Sequence, residues 1–222
     1  MKKITILVLF LLSGYASMAQ IEIGLMLSPT ISGNRFIAED KYNFEKESSK
    51  LRLGVGVVAD YFFAKNYAFS TGLVYRSKGS EISYSYTRVE DGSSVTTSGK
   101  DDIALQYIEL PLSLKLFTNE VTPGTLVYFQ VGGSLNTKVA ATVNDKKVID
   151  GEKAIKRFNI FEADVLLGGG VEIQMGESTK LFSGLTYHRG LSNIDDFYRE
   201  TLGDKNIALK NNSFSLDVGV KF

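Results

Sequence analysis

The single histidine of this 222-residue chain, His188, is the side chain best suited to proton transfer near neutral pH. Beside a serine it could act as the general base that activates the hydroxyl for attack on a lipid ester. The nearby candidates are Ser183 and Ser192. Ser183 lies an odd number of residues away, so in an extended strand it points to the opposite face from His188. Ser192 falls in the predicted loop that follows. We therefore predict a structural role for His188 and no catalytic residue.

A second group of chemically active residues consists of charges on one face of several predicted strands. A charge on the buried face of a strand has to be paired, because an isolated buried charge is strongly destabilising. We predict a structural, salt-bridged cluster, and the alternative is a narrow gated ion path. The predicted cluster comprises Arg76, Lys78, Glu109, Lys115, Glu162, Asp164 and Glu172.

Two further groups of residues fall in polar stretches. Acidic side chains in the segment 192–212 could bind divalent cations together with lipopolysaccharide, but their spacing matches no calcium-binding loop, which favours a solvated loop. Three tyrosines predict either a partner-binding patch or part of an aromatic ring at a membrane interface. We find no phosphate-binding loop, catalytic carboxylate pair or metal-ligand spacing in the sequence, and predict neither a cofactor nor a metal site. The acidic residues are Asp195, Asp196, Glu200 and Asp204, and the tyrosines are Tyr84, Tyr86 and Tyr107.

The composition restricts the classes of partner and the compartment. The 25 basic and 25 acidic residues leave no excess of positive charge for nucleic acid. Without cysteine there is no disulfide, thiol nucleophile or thiolate metal site. Two lysines, an apolar run and small residues at its end predict a cleaved secretory signal peptide over residues 1–19, read by the Sec pathway. Residues 20–222 would then form one exported domain.

Apolar and polar residues alternate strictly in the segments that must position these side chains. The last ten residues place Phe214, Leu216 and Val218 on one face, and Ser215 and Asp217 on the other. Earlier segments repeat the pattern, and we predict eight antiparallel strands. The predicted strands cover residues 21–27, 51–63, 67–78, 106–116, 127–135, 161–173, 181–188 and 213–222.

Two prolines bear on the limits of these strands. We predict that Pro29 ends the first strand, and that the fourth strand continues through Pro111 with a bulge. The connections alternate between long and short, which is typical of outer-membrane barrels with short periplasmic turns and long extracellular loops. Long polar segments cover residues 30–50, 79–102, 136–157 and 192–212, and short turns cover residues 64–66, 118–124 and 175–179.

The polarity of the two strand faces decides between a membrane barrel and a soluble one. A soluble barrel would turn its apolar residues inward, whereas here charges and glycines share the face opposite the long apolar rows. Backbone groups in hydrocarbon must be paired within the protein, so a spanning sheet has to close. We predict an all-β, eight-stranded antiparallel transmembrane β-barrel whose narrow lumen is filled by side chains.

Several motifs resemble a known family. The segment Tyr107–Leu112, followed by Lys115, is similar to a Tyr-Ile-Glu-Leu-Pro-Leu signature of Bacteroidetes outer-membrane β-barrel proteins of the PorT type, within the porin family. The predicted cleavage junction and the segments 168–172 and 187–194 are similar to the same family. The resemblance implies a location in the outer membrane of a Gram-negative cell. Most such proteins have no assigned role.

The resemblance also implies partners and a function. The chain end, with Gly219, Val220 and Phe222, resembles the terminal signal that the barrel assembly machinery reads. This machinery and periplasmic chaperones are the expected partners during biogenesis, and outer-membrane lipid and lipopolysaccharide are the expected surroundings. The namesake type takes part in protein secretion, which implies secretion-system components as partners. The predicted function is a non-enzymatic structural or interaction barrel, accessory to secretion or envelope assembly. The alternatives are a small channel with a charged, gated lumen and, after it, a lipid-modifying enzyme.

Overall fold

Most of the described chain is β-strand. The computed structural model describes residues 21–90, 93–149 and 151–222, and the predicted signal peptide, residues 1–19, lies outside them. Alternation of residue types extends the backbone throughout, because each strand has two different faces to satisfy. The strands are β1 (Ile21–Ile37), β2 (Glu45–Ala64), β3 (Tyr67–Lys78), β4 (Ser80–Glu90), β5 (Ser93–Phe117), β6 (Thr125–Val143), β7 (Val148–Ile149), β8 (Glu152–Lys153), β9 (Phe161–Gln174), β10 (Lys180–Gly190) and β11 (Ala208–Lys221).

Helical segments in the described part of the chain are short. They are the helix α1, Phe197–Leu202, and the 3-10 turns Asp40–Tyr42 and Ala154–Arg157. None of the described helices is long and apolar enough to cross a membrane.

Eight of the nine strands in the main sheet close into an antiparallel ring, in the order β1–β11–β10–β9–β6–β5–β3–β2. The ring closes because β1 pairs with β2 on one edge and with β11 on the other. Ile31, for example, lies opposite both Leu51 of β2 and Phe214 of β11. The predicted eight-stranded barrel is confirmed. The ninth strand, β4, pairs with β2 and β5 outside the ring.

Side chains on the two faces of the barrel wall meet different surroundings. Outward positions carry apolar residues that are largely exposed, such as Leu25 at 61% and Phe69 at 58%. Alternate positions point inward and are buried even where they carry charge, as with Arg76 at 2%. On β2 the outward apolar row runs from Leu51 to Phe63, which is enough for a strand that spans hydrocarbon with ~9–11 residues. The outward apolar rows of the ring together form a belt, and the membrane surrounds this belt.

Several strands continue beyond the belt on the side of the long connections. β1 runs through Pro29 to Ile37 and β2 begins at Glu45, so the prediction of a loop over residues 30–50 is wrong. Pairing between β1 and β11 is interrupted beside Pro29, which has no N–H to donate, and resumes at Thr30. One missing donor thus interrupts the ladder without ending the strand.

Pro111 lies in a regular part of β5, and the predicted bulge is not there. β5 keeps the same register with β3 on both sides of Pro111. Thr71 Oγ1 donates a hydrogen bond to the Pro111 carbonyl at 2.9 Å, beside the position that lacks a donor. The register shift comes instead between Gln106 and Tyr107, where β6 contributes an extra residue, Val139.

The long polar stretch forms two paired strands over its described residues, 80–90 and 93–102, as in a β-hairpin. Gly79 has a φ of 118°, a value that favours glycine, and the chain continues from it into β4. β4 pairs with β5 along its whole length, from Glu81 opposite Asp102 to Glu90 opposite Ser93. Residues 80–102 are called the hairpin arm below.

The remaining long connections pack over the open end of the ring. β6 continues to Val143 and β11 begins at Ala208, so the predicted loops of residues 136–157 and 192–212 are too long. Apolar residues from the connections and from the strand ends form one buried core above the belt. Its members are Tyr42, Ile82, Tyr86, Ile103, Leu105, Tyr107, Ala141, Val143, Phe158, Ile194, Tyr198, Ile207 and Leu209.

Candidate functional site

Charged side chains fill the barrel interior at the end with the short turns. Lys115 Nζ lies 2.9 Å from Asp60 Oδ2, and Lys221 pairs with both Asp60 and Glu172. The four side chains are between 0% and 6% exposed. Since the residues belong to β2, β5, β9 and β11, the network connects separate parts of the wall.

Polar groups at mid-height surround one carboxylate, that of Asp217. Ser28 Oγ donates to its Oδ1 at 2.5 Å and Thr186 Oγ1 to its Oδ2 at 2.6 Å. Arg76 donates to Ser28 Oγ at 2.8 Å and to Thr30 Oγ1 at 3.0 Å. Asp217 is therefore held by hydroxyls, and Arg76 links this level to the next.

The densest cluster lies nearer the long connections. Arg76 Nε is 3.2 Å from Glu109 Oε2, and Lys78 Nζ lies 3.4 Å from the same oxygen. Lys78 Nζ also lies 2.8 Å from Asp164 Oδ2, while His188 Nδ1 lies 3.2 Å from Asp164 Oδ1. Glu109 and Asp164 thus each face at least one cation, which is the condition for tolerating buried charge.

Glu162, the last member of the predicted cluster, is buried one level closer to the long connections. Its Oε2 accepts a hydrogen bond from Asn211 Nδ2 at 2.9 Å. Asn211 in turn accepts from Asn34 Nδ2 at 2.8 Å. Amides therefore continue the polar network where cations end.

Three side chains of this cluster have the types that bind metal ions. Atoms of Glu109, Asp164 and His188 lie within 4.8 Å of one another. They come from three different strands, so their spacing along the chain gave no indication that they lie together. The ammonium of Lys78 already contacts both carboxylates. The geometry therefore favours charge pairing over metal binding.

The seven residues of the predicted cluster all lie inside the barrel, but in two groups. Lys115 and Glu172 belong to the level near the short turns, and the other five lie nearer the long connections. Asp60, Asp217 and Lys221 complete the network and were missing from the predicted cluster. Alternation places all three inward, and that was the available signal.

Little space remains inside the lumen. The cavity that the structure contains between these groups measures about 50 Å3. Such a volume holds only a few water molecules, since each needs about 10–15 Å3 of space of this kind. A cluster of apolar side chains fills part of the lumen beside this cavity. Its members are Met26, Val58, Val74 and Phe182. The lumen is filled rather than open.

The serines considered as nucleophiles do not contact His188. Ser183 points outward, and Ser192 Oγ accepts a hydrogen bond from the Ala163 N–H at 3.0 Å. The side chain of His188 instead contacts Asp164, with 3.2 Å between Nδ1 and Oδ1. The arrangement gives His188 a role in orienting charge and offers no base next to either candidate.

The sequence matches the family described as outer membrane protein beta-barrel domain, over residues 16–196. The chain belongs to this family. It is an outer-membrane β-barrel protein, with short turns on the periplasmic side and long connections on the extracellular side. Comparison with curated protein sequences gives no significant match.

Solved barrels of similar fold share little sequence with this one. Neisserial surface protein A is 14% identical with a TM-score of 0.48, and the match covers 90% of this chain and 95% of that one. Ail of Yersinia pestis, in complex with the heparin analogue sucrose octasulfate, is 13% identical with a TM-score of 0.45, over 91% and 99% of the chains. The N-terminal barrel domain of Pseudomonas aeruginosa OprF is 12% identical with a TM-score of 0.37, over 90% and 97%.

Arg157 holds the extracellular connections of this outer-membrane barrel together. It lies 2.8 Å from Asp195 and 3.0 Å from Asp101, and its guanidinium stacks 4.6 Å from the ring centre of Phe197. Burial alone would lower the pKa of Arg157, but these carboxylates outweigh it and raise the pKa above its ordinary value. Asp195 is 1% exposed, so the prediction of a solvated acidic loop is wrong for this residue, which the ion pair draws inside.

The three tyrosines lie in the extracellular core. Tyr107 and Tyr86 are 0% and 5% exposed, so neither forms part of a surface patch or of a membrane-interface ring. Tyr84, which is half-buried, stacks on Tyr86 at 5.8 Å and packs against Tyr198 at 5.5 Å. Burial raises the pKa of the Tyr198 hydroxyl, which keeps it neutral. The prediction failed because the barrel continues above the membrane and needs its own core there.

Proposed function

We propose that this protein is a non-enzymatic interaction barrel, which binds a protein partner at the cell surface through its hairpin arm. The proposal includes an accessory role in protein secretion or envelope assembly, which the PorT-type motifs imply. The observation that carries it is the arm itself, a pair of strands that continues past the ring. Neither the filled lumen nor the environment of His188 supplies a second activity.

Both edges of the arm offer unpaired backbone. β4 pairs with β2 only from Ser80 to Ser83, and β5 begins to pair with β6 only at Ile103. Within the described chain, residues 84–90 and 93–100 therefore have a strand neighbour on one side only. Such edges accept a further strand from a partner through main-chain hydrogen bonds.

One face of the arm is polar and well ordered by side-chain pairs. The hydroxyls of Ser85 and Ser98 are 2.8 Å apart, and those of Thr87 and Thr96 are 2.9 Å apart. Cross-strand hydroxyl pairs hold the register of a hairpin, so its edges are presented in one geometry. A preorganised edge binds with a smaller entropic cost than a flexible loop does.

Biogenesis completes the proposal. The Sec pathway would export the chain, and periplasmic chaperones would carry it to the outer membrane. The barrel assembly machinery would then read Gly219, Val220 and Phe222 as a terminal signal. Phe222 supports this role because its ring is 62% exposed on the lipid side, while its backbone pairs with Ile23 of β1. The side chain thus does not pack inside the barrel and is available to a receptor during assembly.

Crosslinking in the native envelope tests the interaction. A variant in which residues 85–98 are replaced by a two-residue Asn-Gly turn should keep the ring and lose the partner that the full protein captures. As a control, the outward Leu185→Val variant leaves the arm intact and should capture it normally. Equal capture by the shortened variant, or recovery of lipid alone by the full protein, would contradict the proposal.

A further inference from the structure

A groove on the outer surface lies where the apolar belt meets the extracellular extension of β1, β10 and β11. It measures about 460 Å3 and is open to the surroundings of the barrel. Its lining combines apolar and basic side chains. The lining includes Ile31, Arg35, Phe36, Phe44, Lys46, Tyr187 and Phe214.

Two basic side chains, Arg35 and Lys46, line this groove, and two more lie beside it on the outward face. Arg35 of β1 lies directly opposite Lys210 of β11, and both point outward. Arg189 of β10 is exposed on the same face and lies opposite Asn212, two residues along β11 from Lys210. Lys46 of β2 folds over Gly33, so that its ammonium lies 3.0 Å from the place where a Cβ would be. The result is a cluster of four cations, here called the basic rim.

The basic rim has no counter-charge of its own. Within the described residues, no carboxylate forms an ion pair with Arg35, Lys46, Arg189 or Lys210, although other surface lysines such as Lys50 and Lys100 are paired. Arg35 donates to the Gly190 carbonyl at 3.3 Å, and its Nε is buried without a partner. Like charges placed directly opposite across two strands are destabilising. An external anion would relieve this repulsion.

The apolar floor of the groove continues into the membrane belt. Tyr187 and Phe214 pack with ring centres 4.6 Å apart on the outward face. Phe36 and Phe44, which stack at 4.3 Å, pack instead against the extracellular core at the upper end of the groove. Phe214 is 61% exposed and Ile31 57%, both on the lipid-facing side. A ligand that fits must therefore be negatively charged at one end and a hydrocarbon at the other.

We propose that this groove binds a phosphorylated glycolipid of the outer leaflet, with its phosphate on the basic rim and an acyl chain along Tyr187 and Phe214. The groove lies on the extracellular side of the belt, where the phosphates of lipopolysaccharide are located. Lysine and arginine next to an anionic membrane surface each contribute to such binding, which weakens as salt is added. The proposal is independent of any protein partner of the hairpin arm.

Native mass spectrometry of the purified barrel tests the site, with lipid A and phosphatidylcholine as competing probes. Replacing Arg35, Lys46, Arg189 and Lys210 by Gln should lower the preference for lipid A by about tenfold or more. The matched control replaces Lys146, Lys147, Lys153 and Lys156 by Gln, which removes the same charge from an exposed extracellular connection. That variant should keep the preference of the wild type.

Two further binding measurements distinguish a lipid headgroup from a free anion. Dephosphorylated lipid A should lose the preference, and inorganic phosphate should displace lipid A poorly because it lacks acyl chains. Equal losses in the rim variant and the control variant, full retention by the rim variant, or equal binding of inorganic phosphate would overturn the assignment. Folding is checked by faster migration of unheated samples in detergent gels. If the fourfold variant fails to fold, Lys210→Gln alone should still lower the preference measurably.

Discussion

Lys78 of β3 and Asp164 of β9 form an ion pair across the interior, with 2.8 Å between Nζ and Oδ2 and at most 1% exposure of either side chain. β5 and β6 separate the two strands along the wall, so the pair connects distant parts of the ring. The lumen at this level is only as wide as two side chains. Charge pairing here both fills the barrel and holds its walls at a set distance.

Removing one partner of that pair should destabilise the barrel. Lys78→Met leaves Glu109 and Asp164 with less positive charge in a buried site, which costs about 3–5 kcal/mol in such cases. Urea titration in detergent, followed by the gel shift of the folded form, measures the loss. Lys65→Met, in the exposed turn between β2 and β3, is the control and should leave the midpoint unchanged. Identical midpoints for both variants would contradict the role of Lys78.

Because the lumen is filled, the purified barrel should not conduct ions. In a planar bilayer, the wild-type protein should give no discrete current steps at moderate voltage. Replacing Arg76, Glu109 and Phe182 together by Ser removes the volume that fills the middle of the lumen, and steps should then appear. Steps of constant size from wild-type protein, persisting after repurification, would show that the lumen opens.

Arg157 should control the extracellular connections without controlling the ring. Arg157→Gln loses the charged contacts to Asp195 and Asp101, which are worth about 2 kcal/mol together with their packing. This corresponds to about thirtyfold faster local opening. Hydrogen exchange of residues 191–207 should accelerate, while that of β10 stays slow. Uniform acceleration through the barrel would show that Arg157 acts on global stability instead.

Phe222 should matter for insertion more than for stability. Phe222→Ala removes a ring that is 62% exposed to lipid, so the folded barrel loses few internal contacts. The fraction of folded protein in the envelope should fall several-fold, about as expected for a lost recognition residue, whereas refolding in detergent should be close to normal. Phe129→Ala, at 59% exposure on β6, is the matched control. Equal insertion of the two variants would remove Phe222 from the terminal signal.

Alternation predicted the ring and the direction of nearly every side chain within the belt. Leu51 to Phe63 could be assigned to lipid, and Glu109 and Asp164 to the lumen, since two surroundings repeat with period two. Above the belt the outer surface is wetted, so polar residues occupy both faces and the pattern fades. That is why the strands at Arg35 and Ala208 were taken for loops.

The sequence allowed us to predict which charged residues lie inside the barrel, but not which of them form ion pairs. Parity places Lys78, Lys115 and Lys221 inside, but it does not say at what height, which depends on strand tilt and register. The pairing of Lys221 with Asp60 crosses the seam where the first and last strands meet. Spacing along a chain carries no information about such a contact.

The length of the hairpin arm has a consequence for what surrounds the cell. β4 contains 11 residues, or about 36 Å at ~3.3 Å per residue, which exceeds the ~30 Å hydrocarbon thickness of a bilayer. The arm therefore carries paired strands beyond the outward apolar row of the ring. Its exposed residues, such as Ser94 and Thr96, are accessible to proteases and antibodies that act from outside the cell.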